Sequence, residues 1–348
     1  MEWMRRRQRR GAAARQLPDC LLLACVLFVI HLLSVSPARA QLHAQSLAFV
    51  ELNCENLFDT QHDSLKQDSE YLPESTRHWT KKRYWRKLNN IAQELLSCTD
   101  DGIPDLVALC EVENDTVLTD LTRRSLLRNA GYDYLMTRSP DLRGIDVALL
   151  YSPFSFAPIS HRCLRVTPVE GMRPTRDILY VAGRVVADDT LHVFVVHAPS
   201  RYGGERYSRP FRQRVAEVLT AAVDSVYAVS PQARVIVAGD FNDYHHSPSL
   251  RELGRHRLHN ISRDARGLHG AKGTYRFQGD WQSIDHVLVS DALTPCVESV
   301  YIHDPLFLLE EEKLYGGHRP RRTYNGMRYQ PGFSDHLPLV VRFCLPKK

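Results

Sequence analysis

The stretch Val235-Ile-Val-Ala-Gly-Asp-Phe-Asn-Asp243 joins a short apolar run to a turn that contains two carboxylates and an amide. A run of this length that is rich in Val and Ile and bounded by Gly and Asp is typical of a buried strand. The same order occurs three more times: Leu47–Leu52 precedes Asn53, Leu106–Cys110 precedes Glu111, and Leu191–Val196 precedes His197. Polar groups that repeatedly follow core strands predict a functional site at one edge of the sheet.

Two later runs have the reverse order. Asp285-His286 comes before Val287–Val289, and Asp335-His336 comes before Leu337–Phe343. If these two strands run antiparallel to the other four, all six polar groups meet at the same edge. The sequence therefore predicts one site built from Asn, Glu, Asp and His side chains that lie far apart in the chain.

Strands and helices do not alternate regularly along the sequence. Apolar runs predict further strands at Val147–Tyr151 and Ile178–Ala182, and residues 147–196 contain no helical pattern between strands. Apolar residues at helical spacing predict helices at Thr80–Ser97, Val117–Asn129 and Arg212–Tyr227. This combination favours a mixed α/β sandwich in a single domain over a purely parallel sheet.

The first forty residues have the pattern of a secretory signal. A basic start is followed by the apolar run Cys20–Leu33, and Ala38-Arg-Ala40 supplies a small-x-small ending. We expect cleavage before Gln41, a secreted or periplasmic location and no stable membrane insertion afterwards, with a retained N-terminal anchor as the alternative. Residues 41–348 are then one domain, in which residues 303–334 lack periodicity and are predicted to be an irregular insertion loop.

The composition excludes several classes of protein. Hydrophobic residues make up 43% and charged residues 24% of the chain, which argues against a disordered chain, a collagen or a multispan membrane protein. The formal net charge of +5 comes from the first forty residues, because the remainder has equal numbers of basic and acidic residues. A neutral body has no global electrostatic footprint for nucleic acid, so any anion must be bound by a local site.

The residue types at the strand ends indicate phosphoryl chemistry. Carboxylate and amide oxygens are ligands for a hard divalent cation such as Mg²⁺ or Mn²⁺. An Asp beside a His holds the imidazole in one tautomer. Together these groups suit in-line attack of water on phosphorus, in which the metal and the histidine share the developing charge.

Six short motifs, in this order along the chain, resemble those of the endonuclease/exonuclease/phosphatase superfamily. They are LNCEN, LCEVEN, VVHAPS, AGDFND, SIDHVLVS and FSDHLP, and they extend from Asn53 to near His336. Each motif is weak alone, but their joint order at strand ends is specific. The resemblance implies a DNase-like four-layer α/β sandwich, with two mixed β-sheets packed face to face and helices outside.

The resemblance also implies a metal site and a catalytic histidine. Glu111 would be the principal metal ligand, with Asn53 beside it and Asp335 completing the shell. His336, oriented by Asp285, would be either the general base or the imidazole that stabilises the phosphate. The implied cofactor is Mg²⁺ or Mn²⁺.

Four further residues receive roles from the same resemblance. Asp240 would position or deprotonate the attacking water, and Asn242 would hold a phosphate oxygen. His197 matches a second histidine of DNase-like members and is a candidate proton donor to the leaving oxygen. Arg176 resembles an arginine that contacts the substrate phosphate in several members.

Each residue also has a purely structural interpretation. Asn53 and Asn242 are ordinary turn formers after strands, and His197 is equally consistent with a hydrogen-bonded histidine at a strand end. Arg176 would then only pair with a neighbouring acid such as Asp177. These interpretations stay open at the level of sequence.

Three functions compete on the sequence. The first is an exported nuclease acting on DNA or RNA as a monomer, with a local basic groove supplied by Arg83, Lys87, Arg201 and Arg206. The second is a lipid or small-molecule phosphohydrolase, for which Phe307-Leu-Leu309 is a faint candidate for a membrane-contacting segment. The third is a non-catalytic binding protein, which the complete set of acidic and histidine residues disfavours. We expect phosphodiester hydrolysis, with nucleic acid as the favoured substrate.

Overall fold

The computed structural model describes residues 44–100 and 102–346, and the predicted signal at residues 1–40 lies outside them. In chain order the strands are β1 (Ala44–Leu57), β2 (Leu106–Val112), β3 (Asp133–Met136), β4 (Asp146–Tyr151), β5 (Phe156–Leu164), β6 (Ile178–Val185), β7 (Asp189–His197), β8 (Arg234–Asp240), β9 (Leu258–Asn260), β10 (Tyr275–Phe277), β11 (Asp280–Gln282), β12 (Asp285–Ser290), β13 (Val297–Ile302), β14 (Leu309–Glu311), β15 (His318–Pro320), β16 (Tyr324–Asn325), β17 (Arg328–Tyr329) and β18 (Leu339–Pro346). The α-helices are α1 (Lys81–Leu96), α2 (Asp115–Thr119), α3 (Glu205–Val229) and α4 (Pro248–Arg255). Within these described ranges no helix has the length and apolar character needed to cross a membrane.

Two six-stranded sheets form the body of the protein, in the orders β13-β18-β1-β2-β4-β3 and β5-β6-β7-β8-β12-β9. β1 and β2 are parallel, as are β7 and β8, so the carboxyl ends within each pair lie at the same edge. β12 runs antiparallel to β8, which places Asp285 directly opposite Asp240. The reversed order of polar and apolar residues around Asp285 is therefore explained by the reversed direction of its strand.

The two sheets pack face to face, and helices cover their outer faces. Apolar side chains from both sheets, such as Phe49 and Val193, fill one continuous core between them. On the outer face of the first sheet, Val50 packs with Leu88 of α1. On the outer face of the second sheet, Val237 is in a cluster with apolar residues of α3 and α4. This arrangement confirms the predicted four-layer sandwich.

The helices differ from the prediction at two places. α3 begins at Glu205, seven residues before the predicted start at Arg212, and it contains Pro210 near its beginning. The predicted helix over Val117–Asn129 is instead α2, a π-helical turn and a 3₁₀ turn in succession. The break between the last two falls at Ser125, whose side chain accepts a hydrogen bond from the backbone N–H of Leu127. A side chain that caps a new turn in this way competes with continuation of the helix.

Residues 303–334 contain two short hairpins, β14–β15 and β16–β17, and are not irregular throughout. The segment is fastened to α1 by Lys87, whose buried ammonium group donates to the hydroxyl of Thr323 at 2.8 Å and to the carbonyl oxygen of Phe333. Leu308 and Leu309 are 1% and 7% exposed, so they belong to the core and offer no membrane-contacting surface. The proposed role of Phe307–Leu309 in lipid contact is therefore wrong.

Candidate active site

A cleft of about 480 Å³ lies where β1, β2, β7 and β8 end. Eight of the residues expected from the sequence line it: Asn53, Glu111, Arg176, His197, Asp240, Asn242, Asp335 and His336. Asp285 lies behind His336 and contacts it directly. The fold thus brings together every residue predicted to act in catalysis, metal binding or contact with the scissile phosphate, from Asn53 to His336.

His336 is held in one orientation by the residues around it. Its Nδ1 atom lies 2.8 Å from Oδ2 of Asp285, which also accepts a hydrogen bond from the hydroxyl of Thr274. The ring of Tyr275 packs against the imidazole at 4.9 Å between centroids. Burial alone lowers the pKa of His336, but the charges of Asp285 and of other nearby carboxylates hold that pKa well above its usual value. In this state His336 is an imidazolium that presents Nε2–H to an anion.

Asp240 occupies the centre of the site and accepts three hydrogen bonds. The side-chain amide of Asn53 donates to Oδ2 at 3.1 Å, while the backbone and the side-chain N–H of Asn242 donate to Oδ1 at 2.8 Å and to Oδ2 at 3.1 Å. The second N–H of the Asn242 amide donates to the carbonyl oxygen of Ala198. Asn242 therefore orients Asp240, and the phosphate contact predicted for it would require one of these bonds to exchange.

The carboxyl group of Asp240 has an unusual acidity. Burial, and then the negative charge of Asp285, raise the pKa of Asp240 to about 7. A carboxylate with a pKa near neutral pH is well suited to take a proton from water.

The backbone around Asp240 depends on Gly239. This glycine has a φ of +145°, and a Cβ atom at its position would lie 1.8 Å from the carbonyl oxygen of Val196 on β7. The close approach of β7 and β8 places Asp240 beside His197 in register. Only glycine allows this spacing of the two strands.

His197 lies between two carboxylates and is 4% exposed. Its Nε2 atom is 3.6 Å from Oδ2 of Asp240 and 3.9 Å from Oε1 of Glu111, and its Nδ1 atom has no partner among the described residues. Burial, and then the positive charges of Arg176 and Arg143, hold the pKa of His197 well below its usual value. The surroundings therefore shift the pKa values of the two cleft histidines in opposite directions, upward for His336 and downward for His197.

The predicted metal ligands Glu111 and Asp335 each use one oxygen in hydrogen bonding. Glu111 has a left-handed backbone (φ +62°), and its Oε2 accepts from the backbone N–H of Asn56 at 2.8 Å. Asp335 accepts from Arg322 at 2.7 Å, and its other oxygen lies 4.0 Å from Nε2 of His336. Glu55 is turned away from the cleft, because its carboxylate binds Lys87, Arg322 and the backbone N–H of Thr323.

The cationic side of the cleft differs from the basic groove that we expected. Arg176 and Arg201 line it, but the expected Lys87 is buried beneath the insertion and Arg83 stacks on Tyr329 instead. Arg206 lies in α3 and does not reach the cleft. Those three assignments to the cleft are wrong, because Lys87 and Arg83 pack elsewhere and the exposed Arg206 is not among the residues that line the cleft.

Arg143 lines the cleft and was missed by the sequence analysis. It precedes β4, which runs antiparallel to β2, so it lies at the same edge as the carboxyl end of β2. The signal that identified Asp285, a polar residue just before an antiparallel strand, would also have identified Arg143 in Asp141-Leu-Arg-Gly-Ile-Asp146. Arg322 carried no comparable signal, because its contacts with Glu55 and Asp335 depend on the conformation of the insertion.

Two buried carboxyl groups near the cleft have no hydrogen-bond partner within the described part of the chain, Glu51 on β1 and Glu94 on α1. Burial, and then the charges of Asp285 and Asp240, raise the pKa of Glu51 well above its usual value. Burial is also the largest cause that raises the pKa of Glu94, to about 8. Both groups are therefore uncharged at neutral pH, which avoids the cost of burying an unpaired anion.

The comparison with known protein families agrees with this geometry. The model of the endonuclease/exonuclease/phosphatase family matches residues 46–344, which is nearly the whole described chain. The chain belongs to the endonuclease/exonuclease/phosphatase family. Among curated proteins, none matches the sequence significantly.

Solved structures of this family share the fold at low identity. An endonuclease/exonuclease/phosphatase family protein from Bacteroides thetaiotaomicron is 16% identical with a TM-score of 0.58, and the match covers 87% of this chain and 98% of that one. A mannosyl-6-phosphatase from the same organism is 16% identical with a TM-score of 0.57, covering 85% and 99%. Truncated TDP2 from Caenorhabditis elegans is 16% identical with a TM-score of 0.53, covering 86% and 98%. At this identity the similarity establishes the fold alone.

Members of the endonuclease/exonuclease/phosphatase family are hydrolases of phosphate esters and typically require a divalent metal ion, and the residues of this cleft fit one. One ligand atom from each of Asp240, Asp285 and His336 lies within 4.8 Å of the others. Asp285 and His336 are already bonded to each other, so a cation that leaves this pair intact would be held at Asp240, where it would offset the negative charge of Asp285 that raises the pKa of Asp240. The set of Glu111, Asn53 and Asp335 stays a prediction.

Proposed function

We propose that this protein is a metal-dependent phosphodiesterase whose substrate is nucleic acid. The observation that carries the proposal is the arrangement around Asp240, whose carboxylate lies 3.6 Å from Nε2 of His197 and directly opposite the Asp285 that holds His336. Hydrolysis of a diester needs a base for the attacking water and a proton for the leaving alkoxide. A cleft that holds one protonated and one neutral imidazole beside a carboxylate supplies both.

The residues of the cleft divide these tasks by their acidity. Asp240, with its raised pKa, accepts the proton of the water that attacks phosphorus. His336 stabilises the negative charge on the phosphate through Nε2–H, while Asp285 keeps it protonated. The proton donation expected of His197 does not fit its lowered pKa, so the imidazolium of His336 gives its Nε2 proton to the leaving oxygen as the bond to phosphorus breaks, and His197 stays neutral beside Asp240. A divalent cation bound in the cleft would supply Lewis-acid polarisation of the phosphate oxygens.

Two observations support nucleic acid over lipid. The segment Phe307–Leu309, which was the candidate for contact with a membrane, is largely buried in the core. Three arginines, Arg143, Arg176 and Arg201, line the cleft beside its carboxylates, so the site offers local cationic groups to a phosphate although the body of the protein is neutral. A phosphate monoester is the second candidate, since its two negative charges also suit these arginines.

We also propose that the chain is exported and that residues 1–40 are removed. The proposal rests on the basic start, the apolar run and Ala38-Arg-Ala40. Expression of the full chain in a host with a secretion pathway, followed by mass spectrometry of the N-terminus, tests it. A mature protein that begins at Gln41 supports export, and an intact Met1 in the membrane fraction would favour the anchor.

Hydrolysis by purified residues 41–348 tests the proposed activity. The substrates are plasmid DNA, RNA, sphingomyelin, inositol phosphates and bis-nitrophenyl phosphate, each with Mg²⁺ or Mn²⁺ and again with EDTA. We expect metal-dependent nicking of DNA or cleavage of RNA that is lost in His336→Ala and in Glu111→Ala. His161→Ala, which changes an exposed histidine on β5, is the matched control and should remain active. Turnover of lipid or monoester alone would reject the nucleic-acid substrate, and full activity of His336→Ala would reject the site.

A further inference from the structure

The three arginines of the cleft come from three different loops and converge on one wall. Arg143 precedes β4, Arg176 precedes β6 and Arg201 follows β7, and all three line the same 480 Å³ cleft. Arg176 donates to the carbonyl oxygen of Ala198, the residue after His197, and the guanidinium of Arg143 lies 3.7 Å from Glu111, so both are close to the catalytic centre. The wall defined by these three residues is called the arginine wall below.

Two members of the arginine wall have hydrogen-bond donors that the protein leaves free. Arg176 is 8% exposed and binds Asp141 at 3.2 Å and the carbonyl oxygen of Ala198 at 2.8 Å, but its Nε–H has no partner in the described chain. Arg201 donates from Nε to the carbonyl oxygen of Asn242 at 2.9 Å and stacks on Tyr244, while its buried Nη2 has no described partner. Buried donors without acceptors are uncommon in proteins and point to a ligand that completes them.

The third member, Arg143, lies on a loop that is fixed in position, and its guanidinium group is only partly paired with other residues. Its loop is fixed by Lys66, whose ammonium group donates to the carbonyl oxygens of Ser139 and Asp141 at 2.9 Å each. The Arg143 guanidinium donates to the side-chain oxygen of Asn56 and lies 3.7 Å from Glu111, and the side chain is 48% exposed. A rigid loop therefore presents a half-exposed cation to the cleft.

The arginine wall offers more hydrogen-bond donors than one scissile diester requires. Its charge is partly neutralised, because Asp141 pairs with Arg176 and Glu111 lies 3.7 Å from Arg143. A phosphodiester group has one negative charge and two non-bridging oxygens, whereas three guanidinium groups line the cleft. The remaining cationic charge and the free donors match a second phosphate group, because guanidinium binds phosphate through paired N–H groups.

We propose that the arginine wall binds a second phosphate of the substrate, next to the scissile one. Arg143 is the residue that makes the protein prefer substrates that carry this second phosphate. This inference rests on the proposed function, since it assigns the neighbouring phosphate of a nucleotide chain to a subsite. The enzyme then selects internal diesters flanked by another phosphate over isolated diesters. Arg143 acts by binding that phosphate and takes no part in proton transfer.

Dinucleotides that differ only in a terminal phosphate test the inference. The substrates are d(TpT), d(pTpT) and d(TpTp), and kcat/KM is measured for each with Mg²⁺ in the wild type, Arg143→Gln and Arg138→Gln. Arg138 lies on the same segment but is paired with Asp115 on the exposed surface, so Arg138→Gln is the matched control. We expect one terminal phosphate to raise kcat/KM by about tenfold or more, the size of a charge-assisted hydrogen bond, in the wild type and in Arg138→Gln. In Arg143→Gln that gain should fall to about twofold or less.

A binding measurement separates the inference from the proposed activity. Titration calorimetry in EDTA compares thymidine 3′,5′-bisphosphate with thymidine 5′-monophosphate, so no turnover is needed. The wild type should bind the bisphosphate more tightly, and Arg143→Gln should lose the difference. Hydrolysis of all dinucleotides at equal kcat/KM, or equal affinity for the two nucleotides, would reject the second-phosphate site. Failure to hydrolyse plasmid DNA, RNA and every dinucleotide, with the difference in affinity intact, would reject the activity and retain the site.

Discussion

Nδ1 of His336 lies 2.8 Å from Oδ2 of Asp285, and the two residues are 6% and 1% exposed. Asp285 is the first residue of β12, and His336 lies just before β18, which belongs to the other sheet. The contact therefore joins the two halves of the sandwich at the floor of the cleft. It also keeps a positive charge where the substrate phosphate is proposed to bind.

Replacing Asp285 with Asn should change the protonation of His336 without changing the position of its ring. Asp285→Asn retains a hydrogen-bond acceptor of the same size but removes the negative charge, so the pKa of His336 should fall. We expect kcat to fall by about 10²- to 10⁴-fold, which is the usual contribution of a proton-transfer group. Rates from pH 5 to 9 measure the effect, and circular dichroism checks the fold. An unchanged rate across this range would contradict the role of the pair.

Gly239→Ala should damage both the fold and the site. The new methyl group would lie 1.8 Å from the carbonyl oxygen of Val196, so β7 and β8 must move apart and carry Asp240 away from His197. We expect a loss of about 3 kcal/mol or more in the free energy of unfolding, together with most of the activity. Gly254→Ala is the control, because a Cβ there meets nothing within 4 Å and the residue lies in α4. That change should be neutral or slightly stabilising.

Glu94 should make stability depend on pH. In the unfolded chain it loses its proton near the ordinary pKa of 4.5, whereas burial raises its pKa in the folded protein to about 8. Between these values the folded protein binds one more proton than the unfolded chain, so the free energy of unfolding falls as pH rises from about 4.5 to about 8. Glu94→Gln has no proton to lose and should remove this contribution.

Chemical denaturation at pH 5, 7 and 9 measures the effect. The free energy of unfolding of Glu94→Gln should increase relative to that of the wild type as pH rises, with a difference of a few kcal/mol at pH 9. Glu217→Gln changes an exposed glutamate of α3 and should follow the wild type at every pH. A constant difference between Glu94→Gln and the wild type would show that Glu94 is charged in the folded protein.

Lys87→Ala should loosen the segment at residues 303–334. The buried ammonium group is bonded to Thr323 and Phe333, and its loss leaves the carboxylate of Glu55 with one fewer cation. Removing one partner of a buried charged pair typically costs about 3–5 kcal/mol. Limited proteolysis should cut the insertion faster, with thermal unfolding as the second measurement. Lys82→Ala, on the exposed side of the same helix, should change neither.

The fold and most of the cleft follow from the positions of polar residues relative to apolar runs. Asn53, Glu111, His197 and Asp240 were recognisable because each directly follows an apolar run; His197 and Asp240 end their strands, whereas β1 and β2 continue past Asn53 and Glu111. β5 escaped prediction because it is an edge strand with mostly exposed residues, so it lacks the apolar pattern of a core strand. The early start of α3 was hidden because the glycine pair at 203–204 and Pro210 are typical of loops.

The charged residues beneath the cleft could not be predicted from local sequence. Lys87 and Glu94 occupy helix positions that the hydrophobic pattern assigns to solvent or leaves undefined, yet both are buried. Their environment is created by residues hundreds of positions away, such as Thr323. Hydrophobic periodicity indicates which face of a helix or strand is apolar. It does not indicate which distant residue will pair with a charged side chain that is buried on that element.

The anchoring of residues 303–334 has a consequence for how this protein can be shortened or recombined. A surface loop that only packs on a finished domain can be deleted or exchanged with that of a relative. Here the segment supplies the carbonyl and hydroxyl partners of Lys87 and the guanidinium partner of Glu55 and Asp335. Deleting the segment would leave Lys87 and Glu55 buried without these partners. A shortened version of the protein therefore also requires replacements at Lys87 and Glu55.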